Sequence, residues 1–120
     1  MFTVCVENGF TASHQLTLRD GSKEPLHVHH WQVFTEVKTE RLNKMGIVID
    51  FHKLIKMVDS ITEIFQNAAL NDFEYFKKNA AAEALAKYIY EKLEPKLPST
   101  VTLYSVKVVE EPGCSAKFNK

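Results

Sequence analysis

The chain has 120 residues, 45% of them hydrophobic and 25% charged, a length and balance that predict one globular domain and exclude two ordinary ones. Fifteen basic residues offset fifteen acidic ones, which excludes a global electrostatic footprint for nucleic acid or an anionic membrane. No apolar run approaches the roughly 18 residues of a membrane span, and Met1–Glu7 contains neither a basic stretch nor a long apolar one, so the expected location is cytoplasmic.

Even positions Phe2, Val4, Val6, Phe10, Ala12, His14 and Leu16 alternate with more polar neighbours, the pattern of a long first strand. Arg19 to Pro25 is polar and turn-rich, with Asp20-Gly21 as its hairpin signal. A second strand runs from Leu26 to about Thr39, with His27, His29, Trp31 and Val33 on one face and Val28 and His30 on the other. Asp50 is the predicted cap of a helix carrying Leu54, Ile55, Val58, Ile61 and Phe65, which ends before Asn71. Asn79 is the predicted cap of a second helix, whose Ala82, Leu85, Ala86, Ile89, Tyr90 and Leu93 form one stripe that stops at Pro95. Thr100 to Glu111 alternates again, and a short strand around Cys114 to Phe118 follows Pro112-Gly113.

The order ββααββ predicts an α+β domain over residues 1–120, a four-stranded antiparallel sheet with two helices on one face. Both faces of the long strands carry apolar or aromatic residues, which predicts self-association, with sheet edges paired between subunits. Cys5 and Cys114 lack C-x-x-C spacing and read as small buried hydrophobes.

His14 on the first strand and His27 and His29 on the second form the sharpest constellation. In a strand, His-x-His puts both rings on one face roughly 6.8 Å apart, and a histidine from the antiparallel neighbour completes a tripod. Three imidazole nitrogens with an open fourth position suit catalytic zinc; ordinary strand histidines are the alternative, and both readings are open at this point. Glu110 follows Val106 and Val108 on an apolar strand face, where its charge needs a partner or an amidine-like ligand edge, unless the strand end lies in solvent. Glu24, three residues before His27, is placed to act as acid or base over a metal, or is an exposed loop charge.

Phe10-Thr-Ala-Ser-His14, Leu26-His27-Val-His29-His-Trp31 and Gly46-Ile-Val-Ile-Asp50-Phe51 resemble the F-x-A-x-H, L-H-G-H-x-Y and G-x-V-x-D-F motifs of the 6-pyruvoyltetrahydropterin and 6-carboxytetrahydropterin synthase family. Leu70-Asn71, Ala82-Glu83-x-Leu85-Ala86 and Val109-Glu110 follow in the family's order, so the resemblance spans nearly the whole chain. It implies the tunnelling fold, zinc (Zn2+) held by His14, His27 and His29, and a pterin ring anchored by Glu110. It also implies a homo-oligomer, a trimer or a dimer of trimers closing a barrel, acting on 7,8-dihydroneopterin triphosphate or a related dihydropterin.

Departures fall on the family's proton-transfer groups. Lys23 stands where the best-known members have a cysteine base, Gln66 and Asn67 where they have an Asp-His pair, and Val28 where His-Gly-His has its glycine, a change expected to crowd the strand and to wall the site together with Trp31. Glu24-Pro25-Leu26-His27 matches the E-x-x-H arrangement of a branch that cleaves the substrate side chain to 6-hydroxymethyl-7,8-dihydropterin, which makes Glu24 the candidate general base. The alternatives are a catalytically inert pterin binder that keeps the zinc site and a homologue with an altered substrate.

Overall fold

In the computed structural model, which describes residues 1–120, β1 (Phe2–His14) and β2 (His27–Thr39) pair antiparallel without interruption, from Phe2 opposite Thr39 to His14 opposite His27. A two-residue strand, β3 (Ala68–Ala69), runs parallel to β1 at Ala12 and Ser13. Two further strands, β4 (Thr102–Glu111) and β5 (Cys114–Phe118), complete a sheet of order β3-β1-β2-β4-β5. Asn67 generates the unforeseen fifth strand. With φ at +59°, a left-handed conformation that asparagine tolerates, it turns the chain back along β1 and donates its N–H to the Thr11 carbonyl at 2.6 Å.

Two helices, α1 (Phe51–Thr62) and α2 (Ala82–Leu93), cover one face. Asp50 caps α1, its Oδ1 accepting from the N–H groups of His52 and Lys53 at 2.8 and 3.2 Å. The second helix departs from expectation. Its N-cap is Ala81, because Asn79 is drawn into a β-bridge with Leu16 and only accepts from the Ala81 N–H at 3.2 Å. Val6, Phe10, Trp31, Val33, Val37, Leu103 and Val108 face Leu54, Val58, Leu85 and Ile89 in one buried cluster. Phe65 is fully buried at its centre, 5.5 Å from Phe10 and 5.6 Å from Phe76 and Tyr88 between ring centroids.

The uncovered face differs from the apolar surface that the composition of the strands suggests. Gln32 donates to Glu7 at 2.8 Å, Ser105 donates to Glu36 at 2.9 Å, and the Lys107 and Lys38 ammonium groups lie over Phe34 and Tyr104. Charges therefore shield these two aromatic rings. Cys5 and Cys114 are both exposed, not buried, because Cys5 falls on the uncovered face and Cys114 on the outer strand. Val28 is 66% exposed there and crowds nothing. Two edges are unpaired within the chain, the outer side of β1 before the Thr11 contact with Asn67 and the outer side of β5. No helix is long and apolar enough to cross a membrane.

Phe65→Ala is expected to cost about 3–5 kcal/mol through lost burial and the cavity left behind. A urea unfolding curve with its midpoint lowered at unchanged slope checks this.

Candidate metal centre

The register that places His14 opposite His27 also places Ala12 opposite His29. All three imidazoles thus emerge on the helix-facing side, at the end of the sheet. Their ring centroids lie 4.5 Å (His14 to His27), 5.1 Å (His14 to His29) and 4.6 Å (His27 to His29) apart. Trp31 forms the floor beneath them, edge-on to His14 at 4.8 Å, with its Nε1–H donating to the Ala12 carbonyl at 3.1 Å.

The backbone decides the tautomers. His14 Nδ1 lies 2.8 Å from the Ala80 carbonyl oxygen and His27 Nδ1 lies 2.8 Å from that of Pro25. A carbonyl only accepts, so both rings carry their proton on Nδ1 and present the Nε2 lone pair inward. Those two Nε2 atoms are 2.8 Å apart. Two lone pairs at that distance repel unless a cation, a proton or a metal, lies between them. His29 Nε2 is buried without any hydrogen-bond partner. Burial, partly opposed by Glu110, holds the His29 imidazole below its ordinary pKa and favours the neutral form that a metal requires.

Glu110 closes the ring of donors. Its Oε1 is 3.6 Å from His14 Nε2 and its Oε2 is 3.6 Å from His29 Nε2. One donor atom each from His14, His27, His29 and Glu110 lies within 4.8 Å of all the others. Ligands at about 2.0–2.1 Å around tetrahedral zinc stand roughly 3.4 Å from one another, so the donor set has the size and chemistry for such an ion. The two carbonyls supply the outer support that metal-binding imidazoles usually have.

Glu24 sits at the rim. Its Oε1 accepts from the Leu16 N–H at 2.9 Å and lies 4.0 Å from His27 Nε2. Gln15, absent from the expectations, and Asn71, known there only as part of a motif, brace it: Gln15 Nε2 donates to the Glu24 carbonyl at 3.0 Å, and Asn71 grips the Gln15 backbone, accepting from its N–H at 3.0 Å and donating to its carbonyl at 2.9 Å. Leu70-Asn71 stands out as a motif in the sequence, but its task becomes visible only when the chain is folded. The Ala80 carbonyl, being backbone, leaves no signal in the sequence.

Other candidates lie elsewhere. Val28 points to the uncovered face and does not wall the site, Trp31 is its buried floor, and Lys23 forms a bridge with Thr17. Gln66 Oε1 accepts from the Thr11 N–H at 3.0 Å on the edge of β1. The two largest clefts, about 500 and 510 Å³, surround Leu42 and Val48 at the opposite end of β1 and contain none of the cluster residues.

The family model for 6-pyruvoyl tetrahydropterin synthase matches residues 3–120. The chain belongs to that family of pterin-processing enzymes. Among its relatives is a 6-carboxy-5,6,7,8-tetrahydropterin synthase from Synechocystis, 29% identical over 98% of this chain and 93% of the relative. A dihydroneopterin monophosphate aldolase from Pyrococcus furiosus is 33% identical over 78% of this chain and 76% of its own. The fold matches the solved 6-pyruvoyl tetrahydropterin synthase of Caenorhabditis elegans with a TM-score of 0.85 at 24% identity, covering 99% of this chain and 95% of that one.

Zinc added to metal-stripped protein is expected to raise stability, by about 2.7 kcal/mol at a free concentration one hundred times Kd. Thermal melts check this; His29→Ala, which removes a donor at the edge of the core, should lose most of the rise.

Proposed function

We propose that the chain is a zinc-dependent enzyme that cleaves the side chain of a 7,8-dihydroneopterin, as its triphosphate or a related form, to give 6-hydroxymethyl-7,8-dihydropterin. The observation that carries this reading is the convergence of three imidazole Nε2 atoms, two with tautomers set by backbone carbonyls, beside a glutamate at 4.0 Å. His14, His27 and His29 would hold the metal. Bound there, zinc supplies Lewis acidity to oxygens of the substrate side chain.

The remaining chemistry belongs to the chain's own residues. Side-chain cleavage requires one proton to leave the hydroxyl next to the scissile bond. As the carbon–carbon bond breaks, its electron pair passes into the C=N of the dihydropterin ring, and a proton then returns to the carbon left on the ring. Glu24 is the carboxylate at the rim of the cluster; its Leu16 contact holds Oε1, 4.0 Å from His27 Nε2, and leaves Oε2 to accept that proton. Glu110 offers two acceptor oxygens to the amidine-like edge of the ring.

The reading draws support from the relative named as a dihydroneopterin monophosphate aldolase. It also agrees with a Plasmodium vivax 6-pyruvoyltetrahydropterin synthase of the same fold, whose catalytic residue, a glutamate, has been replaced by alanine and by cysteine. The cluster lies at an open sheet end and not in an enclosed cavity. We therefore include in the proposal a homo-oligomer, a trimer or a dimer of trimers, in which a neighbouring subunit covers the site along the unpaired edges of β1 and β5.

A second reading, an inert pterin binder, is favoured by one observation. Gln66 and Asn67, at the position of the family's Asp-His pair, carry neutral amides, the first accepting from the Thr11 N–H and donating to the second, and neither can relay a proton.

Zinc-loaded protein incubated with 7,8-dihydroneopterin and its mono- and triphosphates should yield 6-hydroxymethyl-7,8-dihydropterin by mass spectrometry. A pyruvoyl or carboxy product would refute the cleavage assignment, and zinc and pterin binding without turnover would establish the inert reading. Glu24→Gln is expected to lower kcat about 10²- to 10⁴-fold with zinc content unchanged; retained turnover would remove Glu24 from the mechanism.

A further inference from the structure

We propose that Glu110 is an exchangeable fourth ligand: its carboxylate closes the metal site while no pterin is bound and leaves the metal to take the ring edge. The inference rests on the metal-centre reading above and deepens it by linking the two tasks that one carboxylate is placed to perform.

Three observations carry it. First, the Glu110 carboxylate is only partly exposed and touches no lysine, arginine or backbone N–H; its near neighbours are His14 Nε2 and His29 Nε2, each 3.6 Å from a different oxygen. The Ala80 carbonyl holds His14 by its Nδ1–H and so turns its Nε2 toward the carboxylate, and His29 Nε2 is buried without a hydrogen-bond partner. A metal ion held by these nitrogens would lie within a ligand's reach of the same carboxylate.

Second, Glu110 lies where the pairing of β4 gives out. The β2–β4 ladder ends at Gln32 opposite Val109, and pairing with β5 goes from Val109 opposite Ser115 to Glu111 opposite Cys114, which skips Glu110. Such a bulge disrupts the ladder locally, while Glu110 keeps to the face of Val106 and Val108 that carries the three histidines.

Third, the two tasks exclude each other. Four protein donors saturate a tetrahedral ion and make a closed, structural-type site, whereas a substrate oxygen needs an open position. A carboxylate that grips an amidine-like edge uses both oxygens and cannot also occupy the metal. Ring binding would thus open the metal position as it anchors the substrate. A compound with the diol side chain but no ring lacks the group that draws Glu110 away.

The test uses the full chain loaded with cobalt in place of zinc, as wild type, Glu110→Gln and Glu110→Ala, with folding checked by circular dichroism. Wild type alone should show the intense visible bands of four-coordinate cobalt; 7,8-dihydroneopterin should change them and glycerol should not. Both variants should differ from wild type before any ligand is added. Their zinc affinity, by chelator competition, should fall about 10- to 100-fold, the range seen when a metal ligand's support is lost. Spectra and affinity equal to wild type in folded variants would overturn the inference while leaving the three-histidine site intact, as would a wild-type spectrum unmoved by the pterin. Folded wild type that binds neither cobalt nor zinc would overturn the metal reading itself.

Discussion

The pairing of β1 with β2 is the constraint on which the site depends. Strand side chains alternate with a period of two, so a slip of one residue would carry His14 to the uncovered face and leave His27 and His29 without it. Core packing prevents that slip. Phe10 stands opposite Trp31 with the rings stacked at 6.2 Å, and the Trp31 indole N–H crosses to the Ala12 carbonyl at 3.1 Å. At the far end Thr39 donates its hydroxyl to the carbonyls of Arg41 and Thr100 at 3.0 Å each. The hydrophobic core and the candidate metal centre share this ladder, and a substitution that loosens the first would misalign the second.

Backbone carbonyls form the next level of control. The Ala80 carbonyl that orients His14 belongs to the segment leading into α2, and the Pro25 carbonyl that orients His27 ends the loop carrying Glu24. Pro25 has a restricted φ, which favours the extended approach to β2. Because β1, β2, β4, the Glu24 loop and the start of α2 all contribute, the cluster is complete only when the chain is folded, and metal binding there would be coupled to folding.

Much of this was legible in the residues. Period-two alternation placed His14, His27 and His29 on one face, spacings of three and four marked both helices, and Glu110 followed from the Val106, Val108 face. What escaped the pattern was set by single contacts without periodicity. Asn67 created β3 by adopting a left-handed φ, Asn79 was taken by Leu16 and lost its role as cap, and Val28 had space that a crowded strand would have denied it. Composition also misjudged the uncovered face, because lysines lying over Phe34 and Tyr104 are tertiary events. Cys5 and Cys114 were misplaced for a related reason: burial propensity describes an average residue, and these two fall on that face and on an outer strand.

Gln66 and Asn67 gain a physical meaning from the same contacts. Gln66 accepts from the Thr11 N–H and Asn67 donates to the Thr11 carbonyl, so together they satisfy both backbone groups of one edge residue. An ionised carboxylate could replace the acceptor, but an amide does so without a buried or edge-bound charge. Any chemistry at the cluster must then proceed without a proton relay from this position. Side-chain cleavage meets that condition on balance alone, since one proton leaves a hydroxyl and one returns to carbon, and a single carboxylate can carry it both ways. In the proposed reaction Glu24 would be that carboxylate, held by Leu16, Gln15 and Asn71 at the edge of the histidine cluster. Relocating side-chain hydrogens without breaking the carbon skeleton requires several proton movements at different carbons, and the amides of Gln66 and Asn67 cannot carry them.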